Sequence, residues 1–446
     1  VGRLSKKQRL CIWMNGVLVG EWSRAPDGER LTYSPYWVKY RKGRPLSLSL
    51  PFTPGNQVYK GELVSAFFDN LLPDSDAIRR RLALRYQSAS LAPFDLLAVL
   101  GRDCVGAIQL LPPDESPDHL FTIKGEVLTE ADIARLLRNS TISGALGPAD
   151  LEGDLRLSIA GAQEKTALLY HKGQWLLPEG STPTTHIFKL PMGLVGNMQA
   201  DMQTSVENEW LCAKIVAAYG LDVAACDIGR FEDQKALIVR RFDRKLSSDG
   251  RWIIRLPQED MCQASGTHPL RKYQIDGGPS MGQIMDILRG SSRAEQDRRD
   301  FFKAQLIFWL LAATDGHAKN FSVFQMPGGR FQSTPLYDIL SAHPIIGTGR
   351  NQLAPQKVKL AMAVRGSSNH YLLDKIQRRH WLAQARQAGL GSNVAEAIIA
   401  ELLAATAEVL KSVSAQLPTD FPPSLADAIL DGVQRQCNKL AAMTAI

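Results

Sequence analysis

No run of about 18 or more apolar residues occurs in the 446-residue chain, so no membrane-spanning helix is expected. The basic opening VGRLSKKQRLCIWMNG is followed by too few apolar residues for the core of a signal peptide. The six cysteines, Cys11, Cys104, Cys212, Cys226, Cys262 and Cys437, are scattered and form no C-x-x-C pair, and no H-E-x-x-H occurs among the eight histidines. A zinc site or a disulfide framework is therefore not expected, and a reducing cytosol fits best. Internal repeats and low-complexity tracts are lacking as well, which argues against a repeat architecture or a disordered tail.

What is present is ordinary for a soluble globular protein: 45% apolar and 22% charged residues. The length allows two or three domains. The net charge of +7 permits anionic partners, although a solvated surface explains it equally.

The N-terminal part reads as strands. CIWMNGVLVGEW places Asn15-Gly16 between two apolar runs, a hairpin signal. LTYSPYWV reads as another strand, ELVSAFFDNLLPDSDAIRRRLALRY as helical, and Pro112, Pro113 and Pro117 mark a boundary. The middle alternates strands and turns around one helix, TSVENEWLCAKIVAAYGLDV, with a capping box expected from Thr204 and Glu207 and a stop at Gly220. From residue 280 onward the pattern is mainly helical, and SSRAEQDRRDFFKAQLIFWLLAAT becomes apolar all round, as a central buried helix does. The expected organisation is an α+β chain in three parts: residues 1–115, a strand-rich lobe at 116–260 and a helical lobe at 261–446.

The central helix runs into ATDGHAKNFSVF. Asp315 and Asn320 are five apart. Phosphoryl transfer needs a carboxylate beside the acceptor hydroxyl and an oxygen ligand for Mg²⁺ a short distance on, and protein kinases use this D-x-x-x-x-N spacing. The spacing alone also fits a helix-ending turn. Asp338, in TPLYDILSA, follows 18 positions after Asn320, where a second magnesium ligand belongs, although Ile339 and Leu340 replace the usual Phe-Gly.

Upstream, LRLSIAGAQEKTALLY reads as strand, turn and strand, with small residues able to lay backbone N–H groups on phosphates. Its end, Lys165-Thr166, invites a P-loop NTPase reading, which fails because Glu164 stands where the second glycine must be. Lys189 lies in a short apolar strand, THIFKLP, and needs a neutralising partner, for which Glu207 and Glu209 stand at the start of the next helix. Each signal alone has a bland alternative: a hairpin, a snorkelling lysine, a local turn. Their order along the chain, turn, strand lysine, helix glutamate, Asp–Asn loop and second aspartate, is the order of a protein kinase.

At this point SIAGAQEKTALL, TPTTHIFKLP, RFDR, LPQEDMCQ, ATDGHAKNFSV and YDILSA resemble the HipA family of serine/threonine kinases, toxins of HipA–HipB toxin–antitoxin modules. RPLSLSLP, FFDNLLPDS and PFDLLAVLGRDCVGA resemble that family's N-terminal domain. The resemblance implies a two-lobed kinase-like fold that uses ATP and Mg²⁺. It implies Asp315 as catalytic base, Asn320 and Asp338 as magnesium ligands, and Lys189 on the ATP phosphates. Ala160, Gly161, Ala162, Gln163, Glu164 and Lys165 would form the phosphate loop. Arg240 to Phe242 would form the hinge against adenine, although the family carries Glu where Arg240 stands. His317 and Lys319 fall inside the catalytic loop, Lys319 by the transferring phosphate. Gln258, Glu259 and Asp260 would shape the acceptor side. Ser158 resembles the family's inactivating autophosphorylation site, where added charge meets desolvation and the charge of ATP.

The implied substrate is glutamyl-tRNA synthetase, with growth arrest as the outcome. The implied partner is a HipB-type helix-turn-helix antitoxin dimer on operator DNA. Lys375, Arg378 and Arg379, in LLDKIQRRHWL, form a basic cluster able to meet DNA phosphates, with a solvated helix face as the alternative. A non-catalytic DNA-binding corepressor is the competing function.

Overall fold

The computed structural model describes residues 8–141, 163–196 and 198–444. The first two strands, Gln8–Met14 and Val17–Ala25, turn at Asn15 and Gly16, whose φ angles of 47° and 81° are those a tight hairpin needs. Gly28–Tyr33 and Tyr59–Lys60 extend this antiparallel sheet on one side. Ile108–Leu111 returns to pair with the first strand on the other, just before Pro112. LTYSPYWV is only half strand: Pro35, with φ preset for a helical first turn, opens the short helix Pro35–Lys39. The long helical stretch is two helices, Glu62–Asp69 and Asp76–Arg85, because Pro73 cannot continue the first. Trp22 stacks on Phe68 at 3.9 Å in the core between this sheet and its helices.

The second sheet is antiparallel and six-stranded, in the order Cys226–Phe231, Gln234–Arg240, His186–Lys189, Lys165–His171, Gln174–Pro178, Gly125–Val127. Helix Ser205–Ala218 packs on its first two strands. This helix stops before Gly220, which takes φ 84°. The expected capping box is not made: Thr204 makes no side-chain cap bond, and Glu207 pairs with Lys235 instead.

The helical part centres on Ala294–Leu310, whose last turns are buried on every side against Ser392–Ser414 and Pro423–Ala442. It is less purely helical than expected. A three-stranded sheet, Gln258–Asp260, Ser322–Gln325 and Phe331–Ser333, and the pair Lys359–Arg365 and Asn369–Leu372 interrupt it. No helix among the described residues is long and apolar enough to cross a membrane.

A buried ionic cluster ties the N-terminal sheet to the strand-rich lobe. Asp103 lies 2.9 Å from Arg244, 3.3 Å from Arg241 and 3.4 Å from Arg255, and accepts from Thr184 N–H and Oγ1–H. Asp243 pairs with Arg241 at 2.9 Å and accepts from the Gly106 N–H at 2.7 Å. Burial alone would raise both aspartates, but the arginines outweigh it and hold Asp243 at about 2 and Asp103 lower still. Glu259 is buried in a similar junction. It accepts from Ser47, from the Leu48 N–H and from Gln325, so its side chain joins the loop at Ser47 and Leu48 to the strand Ser322–Gln325.

Candidate active site

The central helix ends against a loop that only glycine permits at one point. A Cβ on Gly316 would lie 2.5 Å from the Phe308 ring. The loop then closes on itself: the His317 N–H donates to the Asp315 carbonyl at 2.7 Å and the Asn320 N–H to the His317 carbonyl at 2.9 Å. The Asn320 side-chain Nδ2 donates to the carbonyls of Asp315 at 2.9 Å and Asp338 at 3.3 Å. With its nitrogen held twice, the amide has its oxygen left to face a cation.

Asp338 adopts φ 60°, a conformation that costs free energy for a residue with a Cβ and recurs at functional sites. Its carboxylate meets Lys189 at 2.7 Å, and Lys189 in turn meets Glu209 at 2.6 Å. Of the two candidate glutamates it is Glu209 that partners the strand lysine. Burial would push Lys189 down, but Asp338 and Glu209 hold it protonated; Asp338 is pulled well below the usual carboxylate range by Lys189 and Lys165 despite its burial. Lys165 stands directly across from Lys189 on the neighbouring strand. Burial first, and then Lys189, lower Lys165 to about 8. Like charges opposed across a ladder are unfavourable, and here Asp338 and Glu209 offset them. Two lysines lining one cleft fit a polyphosphate. A carboxylate and an amide oxygen, with phosphate oxygens and water completing the shell, fit Mg²⁺, which is rarely caged by protein alone.

One cleft is lined by Lys165, Lys189, Arg240, Phe242, Asp315, His317, Lys319, Asn320 and Asp338 together. Phe242 stands edge-on to Phe324 and tilted on Tyr337, each at 5.7 Å, and offers an apolar wall. Gln163 and Glu164 do not line it: Gln163 donates to the Leu190 carbonyl and Glu164 pairs with Arg81. Ser158, Ala160, Gly161 and Ala162 lie outside the described residues. Lys165 opens a strand, whereas the lysine of a P-loop opens a helix, which removes the NTPase alternative. The basic cluster is apart from the cleft. Lys375 and Arg379 are exposed, and Arg378 is committed to Glu396.

Tyr273, beside the cleft, and Asp74 and Lys272, which line it, carry no sequence signal. Tyr273 donates its hydroxyl to Asp315, and burial with the Asp315 charge keeps that hydroxyl protonated. His317 is buried, which lowers its pKa and favours the neutral ring, and it stands edge-on to Tyr273 at 5.1 Å. Asp74, Lys272 and Asp260 also line the cleft. Asp260 caps the helix Met261–Ser265 and is pushed up to about 6 by burial. Nothing local in the sequence marks Tyr273, Asp74 or Lys272, because their partners lie far along the chain.

Residues 157–410 match the model of the HipA-like C-terminal domain and residues 10–111 that of the HipA N-terminal domain. The chain is 33% identical over 414 residues to the Sinorhizobium fredii protein named "Putative kinase Y4mE", covering 91% of each. It is 27% identical over 360 residues to the serine/threonine-protein kinase toxin HipA of Shewanella oneidensis, covering 76% of each. The fold superposes on Shewanella oneidensis HipA, solved with HipB and operator DNA, with a TM-score of 0.77 at 23% identity over 97% of this chain and 98% of that one. The chain belongs to the HipA family of serine/threonine-protein kinase toxins.

Proposed function

We propose that this kinase transfers the γ-phosphate of Mg-ATP to a protein serine, with Asp315 as the base. The observation that carries this reading is the meeting of Lys189, Asp315, Asn320 and Asp338 in one cleft from widely separated segments. Phe242 and the backbone from Arg240 bind adenine. Lys165 and Lys189 bind the phosphates, and Glu209 holds Lys189 in place. Asn320 and Asp338 hold Mg²⁺, which when bound neutralises charge on the phosphate oxygens. Asp315, oriented by the Tyr273 hydroxyl, takes the proton from the serine Oγ as that oxygen bonds to the γ-phosphorus and ADP leaves. Lys319 meets the charge on the transferred group. His317 supports Tyr273 as a neutral ring. Lys189→Met would leave Glu209 and Asp338 without their shared cation. Loss of one partner of a buried pair costs about 3–5 kcal/mol, so a lower urea midpoint and weaker Mg-ATP binding by calorimetry are expected.

The acceptor is glutamyl-tRNA synthetase, and its modification arrests growth in the cytoplasm. The family membership and the kinase toxin name of a relative support growth arrest by protein phosphorylation, and the acceptor itself comes from the family resemblance. Self-phosphorylation at Ser158 switches the kinase off. A HipB-type antitoxin dimer binds the chain on operator DNA and represses its own promoter; the complex solved for the Shewanella oneidensis protein supports it. Lys375 and Arg379 offer the exposed cations for DNA phosphates, with Arg378 contributing only if Glu396 releases it. Residues 1–115, 116–260 and 261–446 divide as N-terminal subdomain, nucleotide-binding lobe and catalytic lobe.

Incubation with labelled Mg-ATP and purified glutamyl-tRNA synthetase tests the acceptor: labelled synthetase is expected, and label confined to other proteins would replace it. Intact mass after incubation with Mg-ATP alone should rise by one phosphate, mapped to Ser158. A phosphate mapped elsewhere removes the switch.

A further inference from the structure

The N-terminal subdomain does not merely neighbour the cleft. Its Asn70, Leu71 and Asp74 line it. Asp74 follows helix Glu62–Asp69, and its side chain is only 12% exposed. One carboxylate oxygen lies 2.7 Å from Lys319 Nζ and the other 2.8 Å from Lys272 Nζ. Lys319 also donates to the Asn70 carbonyl at 3.3 Å. An ammonium has three N–H donors, so one remains for a phosphate oxygen. Lys272 adjoins Tyr273, the residue bonded to Asp315, and its carbonyl accepts from the Ala318 N–H at 3.4 Å inside the catalytic loop. One carboxylate thus holds a lysine from each of the two segments that frame Asp315. Burial alone would raise Asp74, but Lys319 and Lys272 outweigh it and hold it at about 2, so it stays ionised at working pH.

We propose that Asp74 is a positioning residue for phosphoryl transfer: it aims Lys319 at the transferred group, and so makes the N-terminal subdomain part of the active site. The proposal rests on the kinase reading above. A lysine on its flexible stem stabilises developing charge best when it is already in place, because no reorganisation is then needed during reaction. Asp74 supplies that placement from a segment that never touches the reacting atoms.

The test is a cycle on the full-length chain, with self-labelling from γ-labelled Mg-ATP as readout: Asp74→Asn, Lys319→Ala and the double variant. Misplacement of a catalytic group by about 1 Å lowers rates by up to about 100-fold. Asp74→Asn is therefore expected to lower the self-labelling rate constant at saturating Mg-ATP, the kcat of this single turnover, by about 10–100-fold while the half-saturating Mg-ATP concentration changes by less than about threefold. The double variant should be no slower than Lys319→Ala alone. Asp74→Glu, which keeps the charge but moves it, should fall between wild type and Asp74→Asn. It carries the test if the asparagine variant does not fold. Unchanged kcat in both Asp74 variants overturns the proposal, as do effects that multiply in the double variant, because Asp74 then acts without Lys319. Asp315→Asn run alongside judges the kinase reading separately: its activity would remove Asp315 as base whatever the cycle shows.

Discussion

Asp103→Asn should cost the folded chain about 3–5 kcal/mol, because it breaks a buried ion network from one side only. Arg244 approaches one carboxylate oxygen, and Thr184 and Arg241 approach the other. Every neighbour is a donor, so an amide nitrogen at either position meets another donor and leaves it unpaired. Arg241, Arg244 and Arg255 would remain buried with Asp243 as the nearby carboxylate. Urea titration at pH 7 reads the loss as a lower midpoint. The pH dependence has a fixed sign. The folded-state pKa of Asp103 is depressed, so its contribution is complete above the unfolded value of about 3.9 and fades as pH falls below it. The gap between wild type and variant should therefore be widest near neutrality and narrow below about pH 4.

Asp315→Asn should lower phosphate transfer by about 10²–10⁴-fold, the usual contribution of a positioned general base. The substitution is conservative in shape. The Asp315 side chain is exposed, accepts from Tyr273 and makes no other short contact among the described residues. An asparagine oxygen can still accept that hydroxyl, so the loop should persist. What would be lost is the basic oxygen proposed to take the serine proton. Mg-ATP binding, proposed above for Lys165, Lys189, Asn320 and Asp338, should stay within about threefold of wild type, so the loss appears in kcat and not in KM. Melting temperature and nucleotide titration, measured beside transfer, separate this from unfolding.

Features written in a few adjacent residues were legible before the fold was known. Asn15-Gly16 demands two positive φ angles, and the hairpin forms there. The central helix and its polar exit loop were likewise a local pattern, while the order of lysine, glutamate and aspartates was legible only as a succession of such patterns along the chain. Geometry between distant segments was not legible. Glu207 and Glu209 stand two apart on one helix and so face different ways. Sequence left both open, and packing sends Glu209 to Lys189 and Glu207 to Lys235. Strands such as Gln258–Asp260 and Phe331–Ser333 have three residues each, too few to show a period, so the small sheet that supports the catalytic loop was missed. Asp74 and Lys319 are 245 positions apart, and Tyr273 and Asp315 are 42 apart. No local pattern joins either pair, and only the docked N-terminal subdomain and the folded loop bring them together.

If the residues in this cleft act as one phosphoryl-transfer site, one assay shows it. The direct measurement is γ-phosphate transfer from labelled Mg-ATP by the wild-type chain and by Asp315→Asn, with the labelled residue identified by mass spectrometry. Magnesium-dependent label on a protein serine is expected with the wild type and almost none with the variant, although both bind the nucleotide. Equal labelling by the two, or a wild type that binds Mg-ATP without transferring phosphate to any protein, would contradict it.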